Sequence, residues 1–223
     1  MKERLKWGIL STGNIAKTLA KASRLHKGVV MFPTQHDVHQ GNLAWCLEVL
    51  DALLWCDNRV LLVTKADPAC IEAILDRYGH GVGPVLRLEI RVTLGALDDA
   101  VLGFWEPGAP SAAARIEALR MAAKYFRASG SAEPLLAPWE ARRLYDAIAP
   151  WAETIWVGCL NHGRKRTAWL AGTALEAEAA ERLRDIEAWQ TPLAIREVAA
   201  ALAGCPKVRW KDSYRKILEG SAK

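Results

Sequence analysis

The amino-acid sequence predicts an α/β fold: a parallel sheet covered by helices, with a helical carboxyl-terminal tail. Three observations predict it. Apolar, often β-branched runs recur at Trp7–Leu10, Val29–Phe32, Val60–Val63, Leu86–Thr93, Tyr125–Ala128 and Thr154–Val157. Helical periodicity fills most of the gaps between them. The runs are nearly continuous in apolar character, which is the pattern of strands buried on both faces.

The elements follow in order. Trp7–Leu10 runs into a loop, "STGNIA", and then into a helical pattern. Leu43, Leu47, Leu50 and Leu54 mark one face of a helix over 43–54. Shorter helices fit 69–77 and 138–148. Ile116, Leu119, Ala123 and Phe126 mark a helix over 111–126, and Asp98 and Asp99 supply N-caps for a helix after the fourth strand. Residues 174–203 read as helices only, and "KVRWKDSYRKILEG" closes the chain with a short basic amphipathic helix. "EPGAP" (106–110), "SAEP" (131–134) and "NHGRKRT" (161–167) read as loops from their glycine, proline and polar content. Six strand–helix units fit this length, whereas a closed eightfold barrel needs about 250 residues. The expected organisation is a barrel domain over 1–173 with a helical extension, 174–223, packed on it.

Composition bounds the function classes. The chain has 223 residues, 51% of them hydrophobic, and a net charge of +5, a mild excess that suits an anionic ligand or a solvated surface. Residues 1–28 lack the apolar core of a signal peptide, and no apolar run approaches a membrane span. The five cysteines, Cys46, Cys56, Cys70, Cys159 and Cys205, contain no CxxC pair. No zinc or thioredoxin-type site is therefore indicated, and the scattered set points to a reducing cytoplasm. Cys46 and Cys70 fall on apolar helical faces, where a thiol packs as a small hydrophobe.

Ligands of parallel α/β folds bind at the carboxyl ends of the strands. That rule selects Ser11–Asn14, Thr34–Asp37, Thr64–Asp67, Thr93–Asp98, Ser129–Glu133 and Cys159–Arg166. His36 and Asp37 after the second strand suit an acid–base pair, Asp37 orienting the imidazole, or a helix cap. Lys65 suits a carboxylate or phosphate, or plain solvent. Arg91, in an apolar strand, needs an anionic partner inside the fold or an exit at an edge. Asn161 adjoins the basic run Arg164-Lys165-Arg166, which suits substrate phosphates, including a nucleic-acid backbone, or a solvated loop. Of the ten tryptophans, those in helical patterns (Trp45, Trp139, Trp151 and Trp189) read mainly as core or groove-filling.

Two resemblances add expectations. "WGIL" followed by "STGNIA" resembles the start of the glucose–fructose-oxidoreductase-type dehydrogenases. It implies an NAD(P) pyrophosphate held over Gly13 and Asn14 at a helix N-terminus, with Asp37 on the ribose. That likeness covers about twenty residues, and "TKADP" (64–68) lacks the acid that precedes lysine in the family's Glu-Lys-Pro segment. A longer likeness runs from Lys27 to Leu218. "KGVVMFPTQHDV" (27–38), "NRVLLVTKADPACI" (58–71), "VTLGALDDAVLGFWEPGAPS" (92–111), "ETIWVGCLN" (153–161) and "PKVRWKDS" (206–213) resemble radical S-adenosylmethionine enzymes of the branch akin to spore photoproduct lyase.

That resemblance implies a partial (β/α)6 TIM-like barrel of parallel strands, open on one side, with S-adenosylmethionine at the strand ends. Thr93, Ser131 and Glu133 are its expected contacts, the last two lying in an S-x-E-P stretch. It also implies a 4Fe–4S cluster on a C-x-x-x-C-x-x-C loop after the first strand, because a compact cluster needs closely spaced thiolates. Here that loop is "STGNIAKTLAKAS", without a cysteine. The leading expectation is therefore a radical-S-adenosylmethionine-related barrel whose cluster segment is absent, impaired in catalysis or dependent on a cluster-supplying partner chain. An NAD(P)-dependent oxidoreductase using the STGNIA loop and a non-catalytic nucleic-acid-binding module are the alternatives.

Overall fold

The computed structural model describes residues 28–34 and 36–220. Within them six strands, β1 (Val29–Phe32), β2 (Arg59–Thr64), β3 (Leu88–Thr93), β4 (Arg127–Ala132), β5 (Thr154–Val157) and β6 (Val208–Trp210), form one sheet in the order β1-β2-β3-β4-β5-β6. Every pairing is parallel. Helices alternate with the strands: α1 (Leu43–Trp55), α2 (Pro68–Tyr78), α3 (Val82–Arg87), α4 (Asp99–Trp105), α5 (Ala112–Ala122), α6 (Ala141–Ile148), α7 (Gly163–Thr167), α8 (Glu176–Ala188), α9 (Pro192–Ala201) and α10 (Asp212–Leu218). No helix among the described residues is long and apolar enough to cross a membrane.

Local chemistry sets the helix starts. Asp67 caps α2, accepting from the Ala69 amide at 2.9 Å, with Pro68 at the first helical position. Asp98 caps α4 through the Ala100 amide at 2.7 Å, and Ser111 caps α5 through the Ala114 amide at 3.2 Å. Asp99 is no cap: it accepts from the Ala112 amide at 2.7 Å and ties the start of α4 to the start of α5.

The strands are two-faced rather than apolar throughout. In register, Val60 lies beside Leu88, Leu62 beside Ile90, Ile90 beside Ala128, and Gly130 beside Ile155. This row is buried and belongs to one core with Leu50 and Leu53 of α1, Ile74 of α2, Leu119 of α5, Leu144 of α6 and Ile195 of α9. Gly130 lets α6 approach; a Cβ there would stand 2.7 Å from Ile148 Cδ1. The alternate row has a different character. Glu89, Arg91 and Thr93 of β3 share a face with Ser129 and Ser131 of β4, and with Thr154 and Trp156 of β5.

Three expectations need correction. The fifth apolar run, Tyr125–Ala128, overlaps only the first two residues of β4, Arg127 and Ala128; the strand runs on as "RASGSA" to Ala132. Residues 163–167 of "NHGRKRT" form the short helix α7 rather than a loop. Residues 208–210, assigned to the helical extension, form β6 and pair with β5, so the tail supplies a strand of the main sheet. The expected strand Trp7–Leu10 lies outside the described residues.

Candidate functional site

Three segments end together at the carboxyl edge of β1, β2 and β3. Asp37 follows β1, Lys65 follows β2, and Glu106 follows α4. Asp37 Oδ1 accepts from the Thr64 hydroxyl at 2.6 Å and from the amides of Val38 and Lys65 at 2.8 and 2.9 Å. The Lys65 ammonium stands 3.4 Å from Asp37 Oδ2 and 3.9 Å from Glu106 Oε1. Glu106 Oε2 in turn accepts from Arg115 Nη1 at 2.5 Å. The Arg115 side chain is fully buried, and it also donates to the carbonyls of Thr93 at 3.0 Å and Pro110 at 2.8 Å.

A chain of alternating charge thus runs Asp37–Lys65–Glu106–Arg115 across three strand ends. It borders a cavity of about 280 Å3 lined also by Val38, His39, Ala66, Asp67 and the Pro107–Pro110 loop. Ala66 holds a left-handed φ of 56° although it carries a Cβ, with its amide bonded to Thr64 Oγ1 at 2.9 Å.

A second arrangement occupies the polar row of β3–β6. Arg91 donates to Ser129 Oγ at 2.9 Å and to Glu89 Oε1 at 3.0 Å, so the arginine in the strand has its anionic partner inside the fold. Ser129 Oγ also donates to Glu89 Oε1, at 2.7 Å. The Arg91 guanidinium lies 5.2 Å from the centre of the Trp156 ring, and Lys211 Nζ lies 5.4 Å from it. Lys211 also pairs with Glu133 Oε2 at 2.7 Å.

Gly158 is what allows that pair. A Cβ there would sit 3.0 Å from Lys211 Cβ and 3.1 Å from Glu133 Cγ. Among the described residues, the buried Trp156 Nε1 has no hydrogen-bond partner, and an unsatisfied buried donor is costly unless a ligand or water meets it.

The sequence-selected residues therefore divide. Asp37 and Lys65 meet at the first arrangement. Arg91, Ser131 and Glu133 belong to the second, and Thr93 joins the two, its carbonyl bonded to Arg115 and its register partner being Ser131. His36 and Asp37 do not form the expected dyad. His36 Nε2 lies 4.0 Å from Cys46 Sγ and its ring packs on Phe32 and Trp45, while the Asp37 oxygens are held by Thr64, Val38 and Lys65. Asn161 and Arg164 are exposed at α7, apart from both arrangements in the hydrogen-bond network; Arg164 Nε lies 4.0 Å from Glu187 Oε1. Gly13 and Asn14 lie outside the described residues.

Glu106, Arg115, Trp156 and Lys211 were not selected from sequence. Signals existed for two of them. Arg115 sits on the apolar side of an alanine-rich helix, in line with Ala112, Leu119 and Ala122. Trp156 alternates with Ile155 and Val157, which assigns it to the opposite face. Nothing local marks Lys211 as the neighbour of Glu133.

Among the described residues no group of three His, Cys, Asp or Glu side chains could hold a metal ion. No family model, curated protein or solved structure matches this chain.

Proposed function

We propose that this chain is a nucleoside-cofactor-binding α/β protein related to the radical S-adenosylmethionine enzymes, an open (β/α)6 barrel with its ligand at the carboxyl ends of β3–β6. The observation that carries the reading is the buried Trp156 Nε1, without a partner among the described residues and set among Arg91, Lys211, Glu133 and the hydroxyl row of Thr93 and Ser131. The sequential order of six parallel strands, with helices between them, suits such a barrel.

S-adenosylmethionine fits this donor set. Ser131 and Thr93 offer hydroxyls that both donate and accept, and Glu133 accepts from ribose hydroxyls or an amino group. Trp156 Nε1 donates to an acceptor on the ligand. Lys211 and Arg91 hold the carboxylate end by charge. The cofactor itself supplies an alkyl group activated by its sulfonium.

A 4Fe–4S cluster does not fit the residues of this sequence, whose five cysteines never occur at cluster spacing. No step is routed through it, and a partner chain is the source the reading requires for any radical chemistry.

Calorimetric titration of the full chain with S-adenosylhomocysteine tests the reading. Saturable binding, weakened roughly ten-fold by Glu133→Gln, is expected. Absence of binding by both S-adenosylhomocysteine and adenosine overturns it. NADPH and a short DNA duplex, titrated in parallel, report on the dehydrogenase and nucleic-acid alternatives.

A further inference from the structure

We propose that the β1–β3 edge carries a separate binding site for a neutral polyhydroxyl compound of monosaccharide size, in the cavity between Asp37, Lys65 and the Pro107–Pro110 loop. The argument starts from charge. Asp37, Asp67 and Glu106 line the cavity with one lysine, Lys65; Asp67 is already engaged, its Oδ1 by the Ala69 amide and its Oδ2 by Gln40 Nε2 at 3.2 Å. Glu106 is already matched by the buried Arg115, and Asp37 is held by a hydroxyl and two amides. An anionic ligand would meet the remaining carboxylate oxygens, and a cationic one would meet Lys65 at the centre. The proposal puts a neutral ligand where a phosphate or carboxylate was expected at Lys65, because Asp37 and Glu106 already flank the ammonium.

What the cavity offers instead is an alternation of donors and acceptors. Among the described residues Lys65 Nζ makes no hydrogen bond; its carboxylate neighbours stand at 3.4 and 3.9 Å, too far for good ones. Glu106 Oε1 is not used by Arg115, which bonds Oε2. Among the described residues Asp37 Oδ2 accepts one bond, from the Lys65 amide at 3.0 Å, and shares that amide with Oδ1. A hydroxyl both donates and accepts. One hydroxyl between Lys65 and Asp37 and a neighbouring one between Lys65 and Glu106 would replace two loose ion contacts with four hydrogen bonds.

Pro107 and Pro110 give the same cavity an apolar wall, suited to the C–H face of a sugar ring. The loop is fixed by the Ala109 amide bonded to Glu106 O at 3.0 Å and by Gly108 at φ +78°. The volume, about 280 Å3, lies at the small end of ligand cavities.

Saturation-transfer NMR on the full chain with D-glucose tests this. Transfer to the ring protons is expected, together with its loss in Ala109→Leu, which fills the cavity without altering a charge. Lys65→Met should weaken binding roughly ten-fold. Glucose 6-phosphate should bind no better than glucose, and excess S-adenosylhomocysteine should not displace the sugar. Absence of transfer, an unchanged signal in Ala109→Leu, or tighter binding of the phosphate ester overturns the proposal. None of these outcomes depends on whether S-adenosylhomocysteine binds at β3–β6. If Lys65→Met fails to fold, Ala109→Leu still decides.

Discussion

Arg115 Nη1 donates to Glu106 Oε2 at 2.5 Å, and the arginine is buried completely. This pair fixes the "WEPGAP" segment to α5 and to the end of β3 through the Thr93 carbonyl. A buried arginine with two carbonyls and one carboxylate is a single hydrogen-bonded unit, and one partner cannot be removed without stranding the others. Among the described residues its Nη2 has no partner, so the unit is not fully satisfied there.

Arg115→Met is therefore expected to destabilise the fold by about 3–5 kcal/mol, read as a lowered urea midpoint with an unchanged slope. The double variant Arg115→Met with Glu106→Leu should recover a large part of that loss. If the double variant is as unstable as the single one, the ion pair is not what holds the loop.

Trp156→Phe separates stability from ligand binding. Phenylalanine keeps an aromatic ring beside Arg91 and Lys211 but removes the unpartnered indole N–H. The melting temperature should hold or rise, because a buried donor without an acceptor costs about 1–3 kcal/mol. Affinity for S-adenosylhomocysteine should fall in the same protein. A fall in both would make Trp156 a packing residue only.

Gly95 tests the close approach of two strand ends. Its carbonyl accepts from the amides of Leu136 and Ala137, at 2.8 and 3.2 Å, and a Cβ on it would stand 2.4 Å from Pro134 O. Backbone cannot yield as a side-chain tip does, so Gly95→Ala should cost about 1–3 kcal/mol. Thermal melting of the variant measures it, and a loss under half of the lower figure contradicts the geometry.

The buried thiols predict an alkaline decline. Burial, reinforced by Cys70 and Asp37, pushes Cys46 to about 11, and burial with Asp67 and Asp37 pushes Cys70 to about 11, both from 9.0. The folded state thus keeps these protons while the unfolded state releases them. Their contribution is fully present below pH 9.0 and is lost as pH rises toward about 11. Urea unfolding under reducing conditions should show stability falling across that window, with a shallower fall in Cys46→Ala and Cys70→Ala.

Much of the framework was legible because strong local signals agree with the fold. Val29–Phe32 and Thr154–Val157 coincide with β1 and β5, and the leucine stripe of 43–54 with α1. β4 was misjudged because Gly130, Ser129 and Ser131 have little strand preference; this strand exists through its neighbours and through Ile148 packed over Gly130. β6 is three residues long and gains its identity only by pairing with β5. At the edge sites, position after a strand found Asp37, Lys65, Ser131 and Glu133. The same rule does not reach Arg115, which arrives from a helix, and it misses Lys211 because β6, the strand Lys211 follows, is not marked in the sequence. It also suggested a His36–Asp37 dyad that the stronger donors of Thr64 and Lys65 prevent.

The pairing of β6 with β5 bears on the order in which the ribosome delivers the protein. Trp156 and Glu133 emerge well before Lys211, so a nascent chain can assemble five strands and still lack the cation that pairs with Glu133. A translation product that stops after α9 would fold much of its core while leaving that acid uncompensated beside the indole.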